Sequence, residues 1–254
     1  IGSMSVQPSE FLKPVAAVFL ASLLATLKNG GGKWMKTKIA LMFAGIIATL
    51  MSQTDFGMSM TFAAIFGVEV FLAGAKKRWI LALVAVLALG SFASYRHIPQ
   101  VHNRIERFLS DNPEDRRQID ASLEAIRGAG LLSGGRGALK QYIPDVHTDF
   151  IFSAMVESFG ILLSVMVLGA CFWVSAIVLD RMKRIRDPFA SLACGGIVGF
   201  LTFQVCVNIA SALGLIPPKG MTLPFISSGG SSLISSCMAM GIVLSLLRGQ
   251  EGAK

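Results

Sequence analysis

Asp149 is the residue whose type and position first suggest chemistry in this sequence. It follows His147 and Thr148 and directly precedes an apolar run that begins at Phe150. A carboxylate at the lip of a buried cavity can accept a proton or ligate a cation, and a carboxylate just before a helix can cap its N-terminus. The position of Asp149 therefore leaves two roles open, a functional carboxylate and a helix cap.

Glu10 and Lys13 form a second candidate group. They are three residues apart, so on a helix their side chains share a face and can form a salt bridge. The functional alternative is that Lys13 holds a phosphate group inside a cavity. Asp55 belongs to a separate polar motif, and Glu157 lies about two helical turns beyond Asp149. A carboxylate at that depth needs a partner or water, so Glu157 either supports the Asp149 site or pairs with a basic residue.

Gln204 and Asn208 are the polar residues of an otherwise apolar segment. They are four apart, so they share a helix face, and interhelical hydrogen bonding is the favoured interpretation. His147 has only His97 and His102 as fellow histidines, neither at ligand spacing, so no zinc site is predicted. The four cysteines lie in apolar segments without CxxC spacing, which favours small buried side chains over disulfides or metal ligands.

The composition places these residues in a membrane protein. Hydrophobic residues make up 53% of the 254 residues, charged residues make up 15%, and the mean hydropathy is +0.64. A single soluble core could not bury so many apolar runs of membrane-spanning length. The net charge is +8, but the basic residues form short blocks beside apolar runs and no nucleic-acid-binding signature is present. We predict an all-α, polytopic transmembrane helical bundle that binds no nucleic acid.

Apolar length predicts seven spans and one substantial extracytoplasmic loop, residues 96–149. Within this loop, Glu114 to Arg127 suits an amphipathic helix with Ile119, Leu123 and Ile126 along one stripe. The glycine-rich stretch that follows matches no nucleotide-binding fingerprint, and it suits either a lid or a plain solvated loop. The predicted spans are residues 11–27, 38–54, 56–74, 79–95, 150–179, 189–216 and 222–247.

Basic residues set a single orientation for these spans. Every odd-numbered span is followed by a basic block, whereas the loops after even-numbered spans are poor in charge or balanced. The positive-inside rule then places all four basic blocks in the cytoplasm, so the C-terminus is cytoplasmic and the residues before the first span lie on the outer side. The blocks contain Lys28, Lys33, Lys36 and Lys38; Lys76, Lys77 and Arg78; Arg181, Lys183, Arg184 and Arg186; and Arg248 and Lys254.

This orientation gathers four polar motifs at the outer interface. Non-helical backbone at membrane depth is tolerated only inside protein or beside a water-filled cavity, so we predict an outward-facing polar cavity. The motifs are Gln7-Pro8-Ser9-Glu10, Gln53-Thr54-Asp55, His147-Thr148-Asp149 and the serine-glycine block 227–232, which includes Ser231 and Ser232.

Taken in order, these motifs resemble the SEDS family of bacterial cell-wall proteins, which includes FtsW, RodA and SpoVE. The resemblance covers essentially the whole chain, and blocks 143–152 and 220–232 are its longest and most specific parts. Thr54 stands where the family usually has proline, and Ser228 where it usually has tyrosine. Block 220–226 is more similar to FtsW than to RodA.

The resemblance implies a ten-helix membrane fold, of which this chain holds seven helices. Residues 1–254 would then form the C-terminal part of a single membrane domain, and the remaining helices would lie in a part of the protein that precedes it. The implied activity is that of a peptidoglycan glycosyltransferase that polymerises lipid II, with inversion, at the outer face of the bacterial cytoplasmic membrane during cell division. A lipid II flippase is the alternative, but transporters often contain internal repeats, and none is visible here.

The resemblance also implies roles for individual residues. Asp149 corresponds to the family's essential aspartate and is expected to be catalytic, and Lys13 corresponds to the motif lysine of the cavity. A divalent cation, Mg²⁺ or Mn²⁺, bound to Asp149 is the alternative to a general base. The expected partners are a class B penicillin-binding protein, which is a transpeptidase, and other membrane proteins of the division septum. The expected substrate contacts are Lys13, Glu10, His147, Thr148, Ser231 and Ser232, supported by Asp55, Glu157, Gln204 and Asn208.

Overall fold

A computed structural model describes residues 7–53, 55–76, 81, 85, 88–92, 94–96, 98–110, 112–132, 149–218 and 220–251. Regular secondary structure within these residues is entirely helical, which confirms the predicted fold class. The helices with complete bounds are α1 Pro8–Lys28, α2 Lys33–Ser52, α3 Phe56–Leu72, α4 Pro99–Leu109, α5 Pro113–Gly128, α6 Ile151–Phe159, α7 Ile161–Met182, α8 Pro188–Ala212 and α9 Gly230–Glu251.

Five of these helices, α1, α2, α7, α8 and α9, contain segments long and apolar enough to cross a membrane. They correspond to the first, second, fifth, sixth and seventh predicted spans. The third predicted span is the shorter apolar helix α3. The fourth, 79–95, lies largely outside the described residues, although 88–92 and 94–96 are helical.

The fifth predicted span, 150–179, is not one helix, and this part of the prediction was wrong. The chain breaks at Gly160, whose φ of 86° and ψ of 168° lie in a region open essentially only to glycine. The amides of Ile161 and Leu162 at the start of α7 donate to the carbonyls of Gly130 and Leu131, at 3.1 and 3.0 Å. The preceding loop therefore supplies acceptors to amides that the break removes from the helical ladder.

The seventh predicted span, 222–247, begins too early. Residues 221–229 are not helical, with a turn at 224–226, and α9 starts at Gly230. Phe225 adopts a positive φ of 66°, and the Leu223 amide donates to Ser227 Oγ at 2.8 Å. Apolar residues inside this turn made it look like part of the helix.

The loop between the fourth and fifth predicted spans has more structure than a solvated connection. The predicted amphipathic helix is present as α5, with Ile119 buried, whereas α4 was not predicted. Ser122 on α5 donates to the Ala212 carbonyl at 2.7 Å, and its hydroxyl lies 2.6 Å from that of Ser153 on α6. Buried hydroxyls thus join α5 to α6 and to the end of α8.

The chain forms two compact units. The first unit comprises Ile1–Leu87, Val174–Phe203 and Gly230–Lys254, and the second comprises Ala88–Trp173 and Gln204–Gly229. The core of the first unit includes Leu20, Phe62, Ile65, Phe200 and Val243. The core of the second unit includes Phe152, Val156, Leu168, Val205 and Leu223.

Glycines of α8 accommodate the side chains of α3 inside the first unit. Glu69 is fully buried, and a Cβ at Gly196 would lie 2.6 Å from its Cδ and 2.7 Å from its Cγ. Neither carboxylate oxygen of Glu69 has a hydrogen-bond partner among the described residues. Small residues at such positions let transmembrane helices approach closely. The glycines are Gly195, Gly196 and Gly199, and the side chains over them are Leu72, Glu69 and Val68, respectively.

Candidate functional site

The first and last polar motifs meet at the start of α1. Gln7 is extended, and Pro8 occupies the first turn, where its missing amide hydrogen costs no helical hydrogen bond. The Gln7 amide donates to Ser231 Oγ on α9 at 3.1 Å. Ser231 and Ser232 are both buried. The structure thus brings together two motifs that are 224 residues apart in sequence.

Glu10 and Lys13 form the salt bridge that their spacing predicted. Lys13 Nζ lies 2.6 Å from Glu10 Oε2, and the two side chains are only 2% and 10% exposed, respectively. Charges removed from water to this degree are stable only when they are paired and hydrogen-bonded. Lys13 is therefore already neutralised by a neighbour on its own helix.

Asp55 caps helix α3 in the same unit. Its Oδ1 accepts a hydrogen bond from the Met58 amide at 3.0 Å, the usual arrangement of an N-cap carboxylate. The motif carboxylate thus has a structural role at the start of this helix.

A cavity of about 630 Å³ opens between these elements. Its polar walls come from the motif residues at the helix ends, and its apolar walls come from residues one to two turns along α1 and α2. Such a mixed lining suits an amphiphile, with a polar part at the helix ends and an apolar part along the helices. The lining residues are Gln7, Pro8, Ser9, Leu12, Gly45, Ile46, Thr49, Leu50, Gln53 and Asp55.

Asp149 lies in a turn at the start of α6 in the second unit. Phe150 occupies the N-cap position, so Asp149 precedes it by one residue. Its side chain is partly exposed. Gly220 has a positive φ of 66°, and a Cβ there would lie 3.7 Å from Asp149 Oδ2 and 3.8 Å from Oδ1. The beginning of the closing motif therefore passes directly beside the Asp149 carboxylate.

Asn208 connects Asp149 to that motif. Its Nδ2 donates to the Asp149 carbonyl at 3.2 Å and to the Met221 carbonyl at 2.9 Å. Its buried Oδ1 has no hydrogen-bond partner among the residues that the structure describes. The predicted interhelical hydrogen bonding was wrong for these two bonds of Asn208, because both acceptors are backbone carbonyls of non-helical segments, one at Asp149 and one at Met221.

The remaining predicted site residues have different outcomes. Glu157 is buried on α6, and Gln204 is buried on α8. His147 and Thr148 lie outside the described residues. Among the described residues, no group of three or more His, Cys, Asp or Glu side chains could hold a metal ion. Sequence reasoning also missed Ser235, which lies on α9. Pro14 was a usable signal, because a proline inside α1 leaves a carbonyl of α1 that needs a hydrogen-bond donor from another element.

Comparisons with known proteins identify the family of this chain. Residues 1–251 match the family model described as a cell cycle protein and named for FtsW, RodA and SpoVE. A Caulobacter vibrioides protein named "Probable peptidoglycan glycosyltransferase FtsW" is 36% identical over 251 residues, covering 98% of this chain and 64% of that protein. Stage V sporulation protein E of Bacillus subtilis is 31% identical, covering 98% of this chain and 70% of the relative. The chain thus spans just under two thirds of the Caulobacter relative.

Solved structures show the same fold. A chain from a structure on the coordination of polymerization and crosslinking by a peptidoglycan synthase complex has a TM-score of 0.79 at 25% identity, covering 98% of this chain and 72% of that one. The rod shape determining protein RodA of Thermus thermophilus has a TM-score of 0.67 at 28% identity, covering 98% and 68%. The motifs, the helical fold and the match over residues 1–251 lead to one conclusion: the chain belongs to the FtsW, RodA and SpoVE family of cell cycle proteins and is a multi-pass membrane protein.

Proposed function

We propose that the protein containing this chain is a peptidoglycan glycosyltransferase that polymerises lipid II at the outer face of the cytoplasmic membrane during cell division. The main support is the Asp149 carboxylate, which lies between the start of α6 and the Gly220 turn. Asn208 donates to the backbone carbonyls of Asp149 and of Met221 and so connects the Asp149 backbone to the closing motif. The names of the Caulobacter and Geobacter relatives and the topic of the synthase-complex structure agree with this function.

Asp149 can supply the base that glycan elongation requires. Chain growth joins the anomeric carbon of a pyrophosphate-linked donor to a hydroxyl of an acceptor sugar, and this hydroxyl is a poor nucleophile until its proton is removed. A partly exposed carboxylate can reach a substrate hydroxyl, and general-base catalysis typically contributes 10²–10⁴-fold, on the order of several kcal/mol. In this proposal, the backbone of Asp149 is held by Asn208 while its carboxylate acts on the acceptor.

The first unit is proposed to hold an amphiphilic part of the substrate. The cavity between α1 and α2 combines polar helix ends with apolar walls, as a lipid-linked sugar requires. Lys13 in this unit is already paired with the Glu10 carboxylate, so it offers a phosphate group little uncompensated positive charge. A divalent cation remains the alternative source of charge stabilisation, and it would act together with carboxylates.

We extend the proposal to the partner protein and to the place of action in the cell. A polymerase that makes glycan strands needs a crosslinking enzyme beside it, and the synthase-complex relative concerns that coupling. We propose a class B penicillin-binding protein as this partner, and the division septum as the site of action because of the FtsW relatives.

The test is polymerisation of labelled lipid II by the full-length protein with its transpeptidase partner. Asp149→Asn preserves the size of the side chain but removes its charge, so we expect a loss of glycan synthesis of about 10²–10⁴-fold or more. If Asp149→Asn keeps the wild-type melting temperature and binds its partner normally, its loss of polymerisation reports on the chemical step and not on folding. Near-normal polymerisation by Asp149→Asn would contradict the catalytic role. Repeating the assay with EDTA followed by added Mg²⁺ or Mn²⁺ distinguishes a base from a metal-bound carboxylate.

A further inference from the structure

Helix α1 contains a proline in its interior. The helix runs from Pro8 to Lys28, and Pro14 lies in its second turn. Proline has no amide hydrogen, so the carbonyl four residues earlier, that of Glu10, loses its helical donor. In a membrane-spanning helix, an unsatisfied carbonyl is unfavourable because hydrocarbon offers it no alternative donor. The Glu10 carbonyl therefore needs a donor from outside α1.

Ser235 supplies that donor. Its hydroxyl, on helix α9, donates to the Glu10 carbonyl at 2.7 Å, and the bond is buried between residues 225 apart in sequence. A serine hydroxyl has only one proton, and within a helix it commonly donates to the carbonyl four residues back. Ser235 instead uses its proton across the helix interface, at the carbonyl that Pro14 leaves open.

This hydrogen bond fixes the backbone of Glu10, one of the residues that the sequence predicted to contact substrate. The carboxylate of Glu10 pairs with Lys13, and Ser231, one turn earlier on α9, accepts from the Gln7 amide. Helix α9 therefore holds the first turns of α1 at two backbone points. Between these points lie Pro8 and Ser9, which line the cavity.

We propose that Ser235 is a positioning residue, which fixes the Pro14-interrupted backbone at Glu10 and thereby holds in place the first turn of α1, whose Pro8 and Ser9 line the cavity. This proposal rests on the proposed polymerase function for its catalytic consequence. Its structural part does not depend on that function. It states only that the hydrogen bond from Ser235 to Glu10 stabilises the protein because Pro14 removes the helical donor.

The experiment uses four variants of the full-length protein: Ser235→Ala, Pro14→Ala, the double variant and Thr26→Val. Ser235→Ala should lower the melting temperature by about 2–4 °C, as expected for one net hydrogen bond. It should also reduce the rate of lipid II polymerisation by about 10-fold or more, because small displacements of the Pro8–Ser9 wall of the cavity are costly when that wall positions substrate. In the Pro14→Ala background, residue 14 regains its amide, so Ser235→Ala should then change neither quantity.

Thr26→Val is the matched control. Thr26 also donates its hydroxyl to a carbonyl of α1, that of Ser22 at 2.9 Å, but no proline removes a helical donor from that carbonyl. Its loss should leave both readouts unchanged.

The outcomes separate the two proposals. If Ser235→Ala lowers the melting temperature equally with and without Pro14, the proposal is overturned, because the hydroxyl would then contribute packing alone. A Pro14-dependent stability loss with an unaltered polymerisation rate would overturn the positioning role. If the wild-type protein polymerises no lipid II, the proposed function fails, whereas a Pro14-dependent change in melting temperature would still support the hydrogen bond to Glu10.

Discussion

In helix α1, stability depends on the same buried ion pair that contains the candidate functional charge of Lys13. Lys13 and Glu10 lie on one helical turn, with side chains 2% and 10% exposed, respectively. Both charges have been removed from water, so each depends on the other more than surface ions do. The pair can therefore keep a cation within the membrane-spanning part of the protein only while both partners are present.

Removing one partner should be more harmful than removing both. Lys13→Met would leave the Glu10 carboxylate buried beside an apolar side chain, and we expect the free energy of unfolding to fall by about 3–5 kcal/mol. Most of that stability should return in Glu10→Gln/Lys13→Met, because no unpaired charge remains. Thermal unfolding of the purified full-length protein measures both variants. Equal stability of the single and double variants would show that the ion pair is not the controlling interaction.

Sequence spacing could predict this pair but not the contacts of Asn208 or Ser235. Glu10 and Lys13 meet because positions three apart on any helix are neighbours. Asn208 and Ser235 instead donate to backbone carbonyls of distant residues. Any residue type can offer a carbonyl, so no pattern of side chains identifies these acceptors. The proline that creates the need for Ser235 was visible, but its partner depended on how the helices pack.

Helices and their breaks differ in how clearly they appear in sequence. Apolar length identified α1, α2, α3, α7, α8 and the main part of α9, because spanning a membrane requires sustained hydrophobicity. The same criterion merged α6 with α7. A single glycine between two apolar runs lowers the mean hydropathy very little, so a hydropathy profile does not show that the glycine adopts a positive φ. Helix α4 was missed because it is amphipathic, although Pro99 at its first turn was a usable start signal.

Gly160 should be indispensable to the break between α6 and α7. Gly160→Ala would force an L side chain into φ 86° and ψ 168° and place its Cβ 2.9 Å from the Leu131 carbonyl oxygen. Strain of this kind costs about 1–3 kcal/mol, which should appear as a lower melting temperature. Gly169→Ala in α7 is the control, because no heavy atom lies within 4 Å of the added Cβ. That control should be neutral or slightly stabilising, since alanine favours a helix interior. Equal melting temperatures for both variants would argue against the strained turn.

At the scale of the whole molecule, the order of the motifs was more informative than any single residue. The sequence predicted one polar cavity shared by four motifs. In the first unit, the Gln7, Asp55 and Ser231 motifs share one neighbourhood, and in the second, Asp149 lies beside the start of the closing motif. Sequence could place the motifs at one membrane level through the positive-inside rule. It could not divide them between two compact units, because that division depends on contacts between distant segments.

The orientation of the chain remains a prediction that the proposed function requires, because glycan strands are assembled outside the cytoplasm. The rule that basic residues stay in the cytoplasm puts Arg184, after α7, on the inside and the loop containing Asn112 on the outside. Both residues are exposed, with the Arg184 side chain 80% accessible, so either position should react if the reagent can reach its side of the membrane.

In a full-length protein lacking its native cysteines, Asn112→Cys should be labelled by a membrane-impermeant thiol reagent in intact spheroplasts. Arg184→Cys should be labelled only after permeabilisation, which also serves as the control for its reactivity. Labelling of Arg184→Cys in intact spheroplasts, with Asn112→Cys protected, would invert the topology and place the Asp149 motif on the side where no extracytoplasmic polymerase could act.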